Sequence, residues 1–392
     1  MFLMSPLIDG AKKTDLRRLA ILWRRSYNST MDTSSATWSA VLERLSQRAQ
    51  DIDIAGRWPR KNIEDLANCG ALTWSVPKQY GGTGLSQIQL HRRYEQLASV
   101  CLTTALILTQ RDAALEFLIC AATAPASGPQ CRKLLSRLAR NQIFASIGIA
   151  QLTTSGQHQN GGVVAVQHGG IWRISGIIPW STGAGHCDYI IAGARTETGD
   201  QLLFILRMKQ PSVRIISPEP IAVLNAGNTV AIKLKGVAIK PEDILAGPSP
   251  NALAVRNKYR RFSLNTCILP LGVAAGALRD AMELVSTRSA RCKAAVAGLR
   301  RKHAALSREV YRHGADKVEA DSASKPAILR AQCNDLCWRC TAATLELAKG
   351  RGLMMSHPAQ RRMREAMFFF VWSSGVSVIE ETLTCLEADG RS

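Results

Sequence analysis

The sequence predicts an α+β protein that is mostly helical, with an N-terminal all-α domain, a small antiparallel β-barrel or sandwich domain in the middle and a C-terminal four-helix bundle. Between residues 37 and about 140, Leu and Ala recur every three or four positions, which is typical of helices. From residue 143 to about 245, short β-branched runs alternate with Gly- and Pro-containing turns. After Pro248 the helical spacing returns and continues to the end. Such segregated blocks are typical of an α+β architecture.

The two changes of spacing define four segments. We expect an N-terminal extension over residues 1–36 that is poorly ordered, a helical domain over 37–142, a β-domain over 143–247 and a helical bundle over 248–392. Four long amphipathic segments favour an antiparallel bundle in the last domain; they cover roughly residues 263–287, 294–312, 325–349 and 358–387.

Composition limits the class of protein. Hydrophobic residues make up 46% and charged residues 20% of the 392 positions, and no run reaches the length of about eighteen apolar residues that a membrane span needs. We therefore expect no membrane span and a cytoplasmic location. The eleven cysteines form no repeating framework, which favours reduced thiols. Cys333, Cys337 and Cys340 follow one helical stripe, so we interpret them as core residues and predict no metal site.

The formal charge of +20 makes nucleic acid the first ligand to consider. The sequence has no Cys/His finger, no aromatic RNA-binding signature and no basic low-complexity tail. The cations are spread through helical patterns, which favours solvated helix faces. We therefore expect no nucleic-acid binding.

Four local motifs follow one another between residues 60 and 387. A Gly-rich turn runs Pro-Lys-Gln-Tyr-Gly-Gly-Thr-Gly from Pro77, and Gly-Ile-Ile-Pro-Trp-Ser-Thr-Gly-Ala begins at Gly176. A loop with small and hydroxyl residues covers 148–157, and Gly-Arg-Gly at Gly350 precedes Arg-Glu-Ala at Arg364. Together, and in their order along the chain, the motifs resemble the acyl-CoA dehydrogenase family.

The resemblance implies FAD as the cofactor. Trp180 then packs on the isoalloxazine ring, with Ser181 and Thr182 as polar neighbours of the ring nitrogens that take up hydride. The alternative is a core tryptophan beside a Ser/Thr turn. In the loop before this segment, the resemblance implies cofactor contacts from Ala150, Gln151 and Gly156, although Gln151 stands where the family has Glu. Backbone N–H donors could serve there whatever the side chain is. The alternative is an ordinary loop.

The C-terminal motifs imply a cofactor shared between subunits. By resemblance, Arg288 contacts the FAD pyrophosphate of another subunit, and Gly350 and Gly352 form a turn at the adenine-nucleotide part. We therefore expect a homodimer or homotetramer. For Arg288 the alternative is a solvated helix face.

The carboxylate base of the family is missing. Counted from Arg364, the commonest family position of this Glu is Ser373, and the other family position falls at about Phe262. Neither residue is an acid, so the catalytic residue remains unassigned. His186 and His357 are the two suggestive histidines, and neither receives a role.

The resemblance implies an FAD-dependent oxidoreductase that oxidises an acyl-CoA or similar acyl thioester at Cα–Cβ and passes electrons to an electron-transfer partner. The missing base leaves two alternatives open. One is a flavin-dependent monooxygenase or oxidase on the same fold, and the other is a non-catalytic relative that binds flavin or acyl thioesters.

Overall fold

A computed structural model describes residues 34–153, 162–216, 219–258, 264–315 and 324–387. The chain divides into two units, Met1–Val41 and Leu42–Ser392. The described residues of the first unit are the beginning of helix α1, and everything else described below belongs to the second. The predicted N-terminal extension, residues 1–36, lies almost entirely outside the described residues.

Helices make up the described N-terminal part of the chain. They are α1 (Ser34–Ala55), α2 (Arg60–Asn68), α3 (Gln87–Val100), α4 (Leu102–Ala121) and α5 (Gly128–Ala139). Helix α3 begins at a capping box, in which Ser86 and Gln89 satisfy each other's backbone N–H groups. Most of α4 is buried, because apolar residues occupy all of its faces.

The predicted Gly-rich turn is present between α2 and α3. Gly81 and Gly84 have φ values of +88° and +61°, a region that side chains with a Cβ rarely adopt. A Cβ on Gly82 would lie 1.9 Å from the carbonyl oxygen of Val76. The turn therefore depends on glycine at these positions.

All strands of the described residues fall between Ala145 and Ser249. They are β1 (Ala145–Gly148), β2 (Val164–His168), β3 (Ile171–Thr182), β4 (Tyr189–Thr196), β5 (Gln201–Arg207), β6 (Val213–Ile216), β7 (Thr229–Ile239) and β8 (Ile244–Ser249). They form one sheet in the order β6-β7-β3-β2-β4-β5-β8, with β1 also paired to β4.

The sheet is mixed, whereas the sequence predicts an antiparallel one. Five of its pairings are antiparallel, and β1–β4 and β2–β4 are parallel. The alternation of apolar residues fixes which face of a strand is buried, but it does not fix the direction of the neighbouring strand. One apolar core lies within the sheet, and a second joins α4 and α5 to β1, β4 and β5.

The C-terminal part contains α6 (Asn265–Leu284), α7 (Ala290–Ala315), α8 (Ser324–Ala348), α9 (Pro358–Val371) and α10 (Val376–Glu387). The prediction of one continuous helix over residues 358–387 is wrong, because α9 ends at Val371 and α10 begins at Val376. Ser373 has a φ of +52°, which is incompatible with a right-handed helix. The apolar residues on both sides of the break keep a helical spacing and conceal it. No helix within the described ranges is long and apolar enough to cross a membrane.

Candidate functional site

A β-bulge near the end of β3 turns Trp180 out of the core. Trp172, Ile174 and Ile178 alternate along the strand and are buried, so regular alternation would bury Trp180 as well. One extra residue between Ile178 and Ser181 shifts the register with β7. Trp180 is consequently 52% exposed, while Ser181 is buried. The exposure excludes the interpretation of Trp180 as a core residue.

Hydrogen bonds hold the residues after Trp180 in place. Ser181 donates from Oγ to the carbonyl of Ile147 on β1 at 3.0 Å, and the hydroxyls of Thr182 and Thr229 lie 3.0 Å apart. The N–H of Gly183 donates to the carbonyls of Gly227 and Asn228. The end of β3 is therefore fixed from two sides, and the indole of Trp180 stands beside it.

The loop after β1 places a polar side chain beneath this region. Gln151 is buried, and its Nε2 donates to the carbonyls of Gly148 at 3.1 Å and Gly193 at 2.7 Å. Its Oε1 is also buried but has no hydrogen-bond partner among the described residues, and the same holds for Oγ of Ser146. An unpaired buried acceptor is costly, and this oxygen would meet a ligand's N–H donor only if the loop opened around it.

The other two residues predicted in this loop contribute less. Ala150 begins a short 3₁₀ helix, Ala150–Leu152, that turns Gln151 inward. Gly156 lies outside the described residues, so the predicted contact there stays a prediction.

An aromatic cluster that the sequence analysis missed lies beside the same segment. The rings of Trp58 and His186 stack 4.4 Å apart at 18°, and Phe144 meets Trp58 edge-on at 6.0 Å. Burial and the neighbouring Arg60 lower the pKa of His186. A cavity of about 250 Å³ is lined by Trp58, Arg60, Ile63, Glu64, Phe144 and His186. The sequence signals were His186, which received no role, and the Trp-Pro pair that precedes α2.

The structure brings Arg288 to the end of α8. Its Nη2 donates to the carbonyl of Leu347 at 3.0 Å, and the residue is half-buried. The predicted glycine turn follows directly as the 3₁₀ helix Lys349–Leu353. Arg288 is therefore engaged with the backbone beside this turn and does not project freely from a helix face.

The two glycines of this turn differ. Gly352 is buried, and a Cβ there would lie 2.9 Å from Ala348 Cβ and Leu345 Cδ1, whereas Gly350 faces open space. Three exposed apolar residues follow the turn: Leu353, Met354 and Met355 are 71%, 58% and 53% exposed. These residues form an exposed apolar surface next to the turn.

Ser373, which the sequence analysis predicts at the position of the base, lies in the break between α9 and α10. Its side chain is exposed, and Trp372 before it stacks on Phe368 at 5.4 Å. Arg330 of α8 donates from Nη1 to the carbonyl of Ser373 at 2.6 Å and from Nη2 to the carbonyl of Trp372. The sequence analysis missed Arg330, although a lone cation after Ala327-Ile328-Leu329 was a usable signal. The second family position, Phe262, lies outside the described residues.

Helix α9 carries buried charges that connect it to other parts of the chain. Arg362 pairs with Asp280 of α6 at 2.7 Å, and Arg364 contacts both Asp53 and the carbonyl of Ala222. Arg361 and Glu365 pair at 3.3 Å inside the fold, and burial raises the pKa of Glu365 against the opposing effect of Arg361. The Arg-Glu-Ala motif is thus a structural element here.

Two further predictions concern α8 and the start of α9. Cys333, Cys337 and Cys340 are buried, and burial raises the pKa of Cys340 to about 12, which makes it a poor metal ligand. The described part of the chain holds no group of three His, Cys, Asp or Glu side chains placed to bind a metal. His357 caps α9, because its Nδ1 accepts a hydrogen bond from the N–H of Ala359 at 3.1 Å.

Comparison with known proteins agrees with this architecture. Residues 35–142 match the acyl-CoA dehydrogenase N-terminal domain. The chain is 24% identical over 249 residues to the short-chain specific acyl-CoA dehydrogenase of Clostridium acetobutylicum, an alignment that covers 61% of this chain and 64% of that protein. The match thus spans less than two thirds of the relative's length.

Solved structures extend the likeness to nearly the whole chain. Butyryl-CoA dehydrogenase from Megasphaera elsdenii superposes with a TM-score of 0.75 at 18% identity, covering 92% of this chain and 99% of that one. FMN-bound TdsC from Paenibacillus sp. A11-2 superposes with a TM-score of 0.76 at 14% identity, covering 91% and 98%. At these identities the likeness shows the fold. The chain thus carries the acyl-CoA dehydrogenase N-terminal domain over residues 35–142 and has the fold of that family.

Proposed function

We propose that the chain is an FAD-dependent oxidoreductase that oxidises an acyl-CoA or similar acyl thioester at Cα–Cβ. The observation that carries the proposal is the exposed indole of Trp180 beside Thr182 at the fixed end of β3, within the fold of the acyl-CoA dehydrogenases. An exposed indole offers a broad apolar face, which suits a planar ligand.

Three side chains would hold the flavin ring in this proposal. Trp180 offers its indole to the ring face, and the hydroxyl of Thr182 is available to a ring nitrogen. If the loop opened, the unpaired Oε1 of Gln151 would be an acceptor for a ring N–H. When bound, FAD supplies the acceptor for a hydride from the substrate. The protein side chains bind and orient the ring.

We also propose that the protein works as a homodimer or homotetramer. Leu353, Met354 and Met355 present apolar surface beside Arg288, where a second subunit would cover it. Helix α10 adds a second apolar stripe, spaced three, four and three residues apart, that consists of Val376, Ile379, Leu383 and Leu386. Each of the four is at least 46% exposed. A closed symmetric assembly would bury such surfaces.

Two further parts of the proposal concern the location of the protein and the partner that receives its electrons. The cysteines are scattered along the chain without a repeating framework, which supports a cytoplasmic location. A reduced flavin must also pass on its electrons, and we propose an electron-transfer partner protein for that step.

The flavin-dependent monooxygenase is the second candidate, and Ser373 favours it. Proton removal from Cα requires a base within reach of the carbon acid, and the described position offers an alcohol. A monooxygenase reaction needs no base for a thioester α-proton. The structural likeness to TdsC is compatible with this alternative.

Anaerobic mixing of the FAD-loaded protein with a saturated acyl-CoA distinguishes the two candidates. The dehydrogenase bleaches the flavin band near its absorption maximum, at a rate that saturates with acyl-CoA. Absence of bleaching, together with substrate-dependent O₂ uptake when reduced flavin is supplied, would establish the monooxygenase. Protein that takes up no flavin would refute both and leave the non-catalytic relative.

A further inference from the structure

Arg330 satisfies the backbone at the break between α9 and α10. Its two Nη atoms donate to the carbonyls of Trp372 and Ser373, and Nη2 also donates to Oγ of Ser374 at 3.1 Å. The last carbonyls of a helix lack partners within the helix, and a cation is the favoured group to supply them. Arg330 therefore holds in place the three residues that follow α9.

The surroundings of Arg330 contain little negative charge. Arg330 is 6% exposed, and no acid lies within salt-bridge distance of it among the described residues. Cys267 of α6 is the titratable group that acts on it. Burial lowers the pKa of Arg330, which still stays far above neutrality for a guanidinium. Its Nε is buried without a hydrogen-bond partner.

We propose that Arg330 is a positioning residue that fixes the backbone of Trp372, Ser373 and Ser374 and makes the surroundings of residue 373 cationic. The functional meaning rests on the proposed function, because it assumes that residue 373 occupies the place of the base. A catalytic carboxylate needs a raised pKa to take up a proton near neutral pH. A buried guanidinium that contacts the same residue's carbonyl has the opposite effect.

A consequence follows for a restored acid. Ser373→Glu introduces a carboxylate on the residue whose carbonyl Arg330 contacts, and we expect the nearby cation to stabilise its ionised form and weaken it as a base. We expect the variant to raise the rate of flavin reduction by acyl-CoA less than about tenfold over wild type. A well-placed general base contributes about a hundred- to ten-thousandfold. Replacing the serine alone would then not restore an effective base, because Arg330 keeps the pKa of an acid at this position low.

Titration of the introduced carboxylate tests the proposal directly. Protein labelled with ¹³C-glutamate shows one extra carboxyl resonance in Ser373→Glu relative to wild type. We expect its midpoint at least about one pH unit below the ordinary Glu value of about 4.3. If acid unfolds the protein first, a resonance that is still fully ionised at pH of about 4.3 gives the same answer. A midpoint at or above the ordinary value would overturn the proposal.

A matched pair of second substitutions tests whether the low midpoint is caused by Arg330 in particular or by any cation on the same helix. Adding Arg330→Gln to Ser373→Glu should raise the midpoint by about one unit. Adding Arg339→Gln should leave it within about 0.3 units, because Arg339 lies about 13 Å further along the same helix and pairs with Asp335. Equal shifts in the two double variants would overturn the proposal.

Arg330→Lys tests the positioning role at neutral pH and covers the case in which Arg330→Gln does not fold. The ammonium keeps the charge but cannot span two carbonyls. In the double variant Ser373→Glu with Arg330→Lys, we expect the titration midpoint of the introduced carboxylate to stay low. In Arg330→Lys, we expect amide hydrogen exchange at residues 376–379 that is about tenfold faster than in wild type. Unchanged exchange would refute the positioning role. Neither measurement requires flavin or thioester, so failure of the proposed function would be seen separately, as colourless protein.

Discussion

By resemblance, the end of β3 is the segment that contacts the flavin in a flavin-dependent dehydrogenase, and the break between α9 and α10 is the position of its base. The two places differ in which residues suited to these roles they contain. At β3 the exposed Trp180 and the hydroxyl of Thr182 are present on a backbone fixed by neighbouring strands. At the break the acid is replaced by Ser373, and Arg330 holds the backbone.

The difference separates two requirements of such an enzyme. Holding a flat cofactor needs apolar surface and a few donors and acceptors, which the β-domain supplies. Removing a proton needs a carboxylate in surroundings that raise its pKa, which the break does not supply. In the proposed function the end of β3 holds the flavin and the break carries no base, and the two properties can be tested independently.

The largest expected effect distinguishes the two tryptophans of β3. Trp172→Ala should lower the free energy of unfolding by about 3–5 kcal/mol, because the side chain is buried. Trp180→Ala should change it by less than about 1 kcal/mol, since half of the side chain is exposed. The same variant should weaken FAD binding about ten- to a hundredfold, the value of one large apolar contact.

Chemical denaturation and fluorescence titration with FAD provide these two quantities for each variant. Comparable losses of stability in both variants would mean that Trp180 is a core residue in solution. Unchanged FAD affinity in Trp180→Ala would remove the indole from the cofactor site.

The next prediction concerns the middle of α9, where two buried side chains of opposite charge form an ion pair. Arg361→Met should destabilise the fold by about 3–5 kcal/mol, because Glu365 is left in the interior without its cation. The double variant Arg361→Met with Glu365→Leu should recover most of this loss, since an apolar pair of similar volume removes both buried charges. Urea denaturation of the three proteins measures the coupling.

The same cycle has a defined pH dependence. Burial raises the pKa of Glu365 above its unfolded value, and removal of Arg361 would raise it further. The stability associated with a carboxyl whose pKa is raised is fully present below the unfolded value and is lost as pH rises through the folded value. Relative to wild type, Arg361→Met should therefore lose further stability as pH rises above the folded pKa of Glu365 in wild type, because only the variant still keeps the buried carboxyl protonated there. A difference independent of pH would show that Glu365 is not the source of the loss.

The smallest effect tests the hydroxyl pair at the end of β3. Thr182→Val removes a hydroxyl that is available to the flavin and should weaken FAD binding up to about tenfold, the value of one hydrogen bond. Thr229→Val removes its neighbour 3.0 Å away and serves as the matched control, with a loss of about twofold or less. Equal losses from the two variants would place the hydroxyl pair in the fold and not in the cofactor site. Isothermal titration of the two variants with FAD provides the comparison.

The sequence predicted those features that depend on periodicity and local motifs. The change from helical to alternating spacing located the strands between Ala145 and Ser249, and the Gly-rich turn at Gly82 follows from its motif. The exposure of Trp180 could not be predicted, because it depends on one extra residue in the pairing with β7. The break at Ser373 was concealed for a similar reason, since Arg330 stabilises it from a different helix.

The absorption spectrum of the purified protein, followed by reconstitution with FAD, tests the central claim most directly. The account predicts flavin bands with about one FAD per chain, either on purification or after reconstitution, and a band shift that marks a bound ring. Trp180→Ala should take up FAD only at higher concentrations under the same conditions. Wild-type protein that is colourless and folded, and that takes up no FAD during reconstitution, would contradict the account.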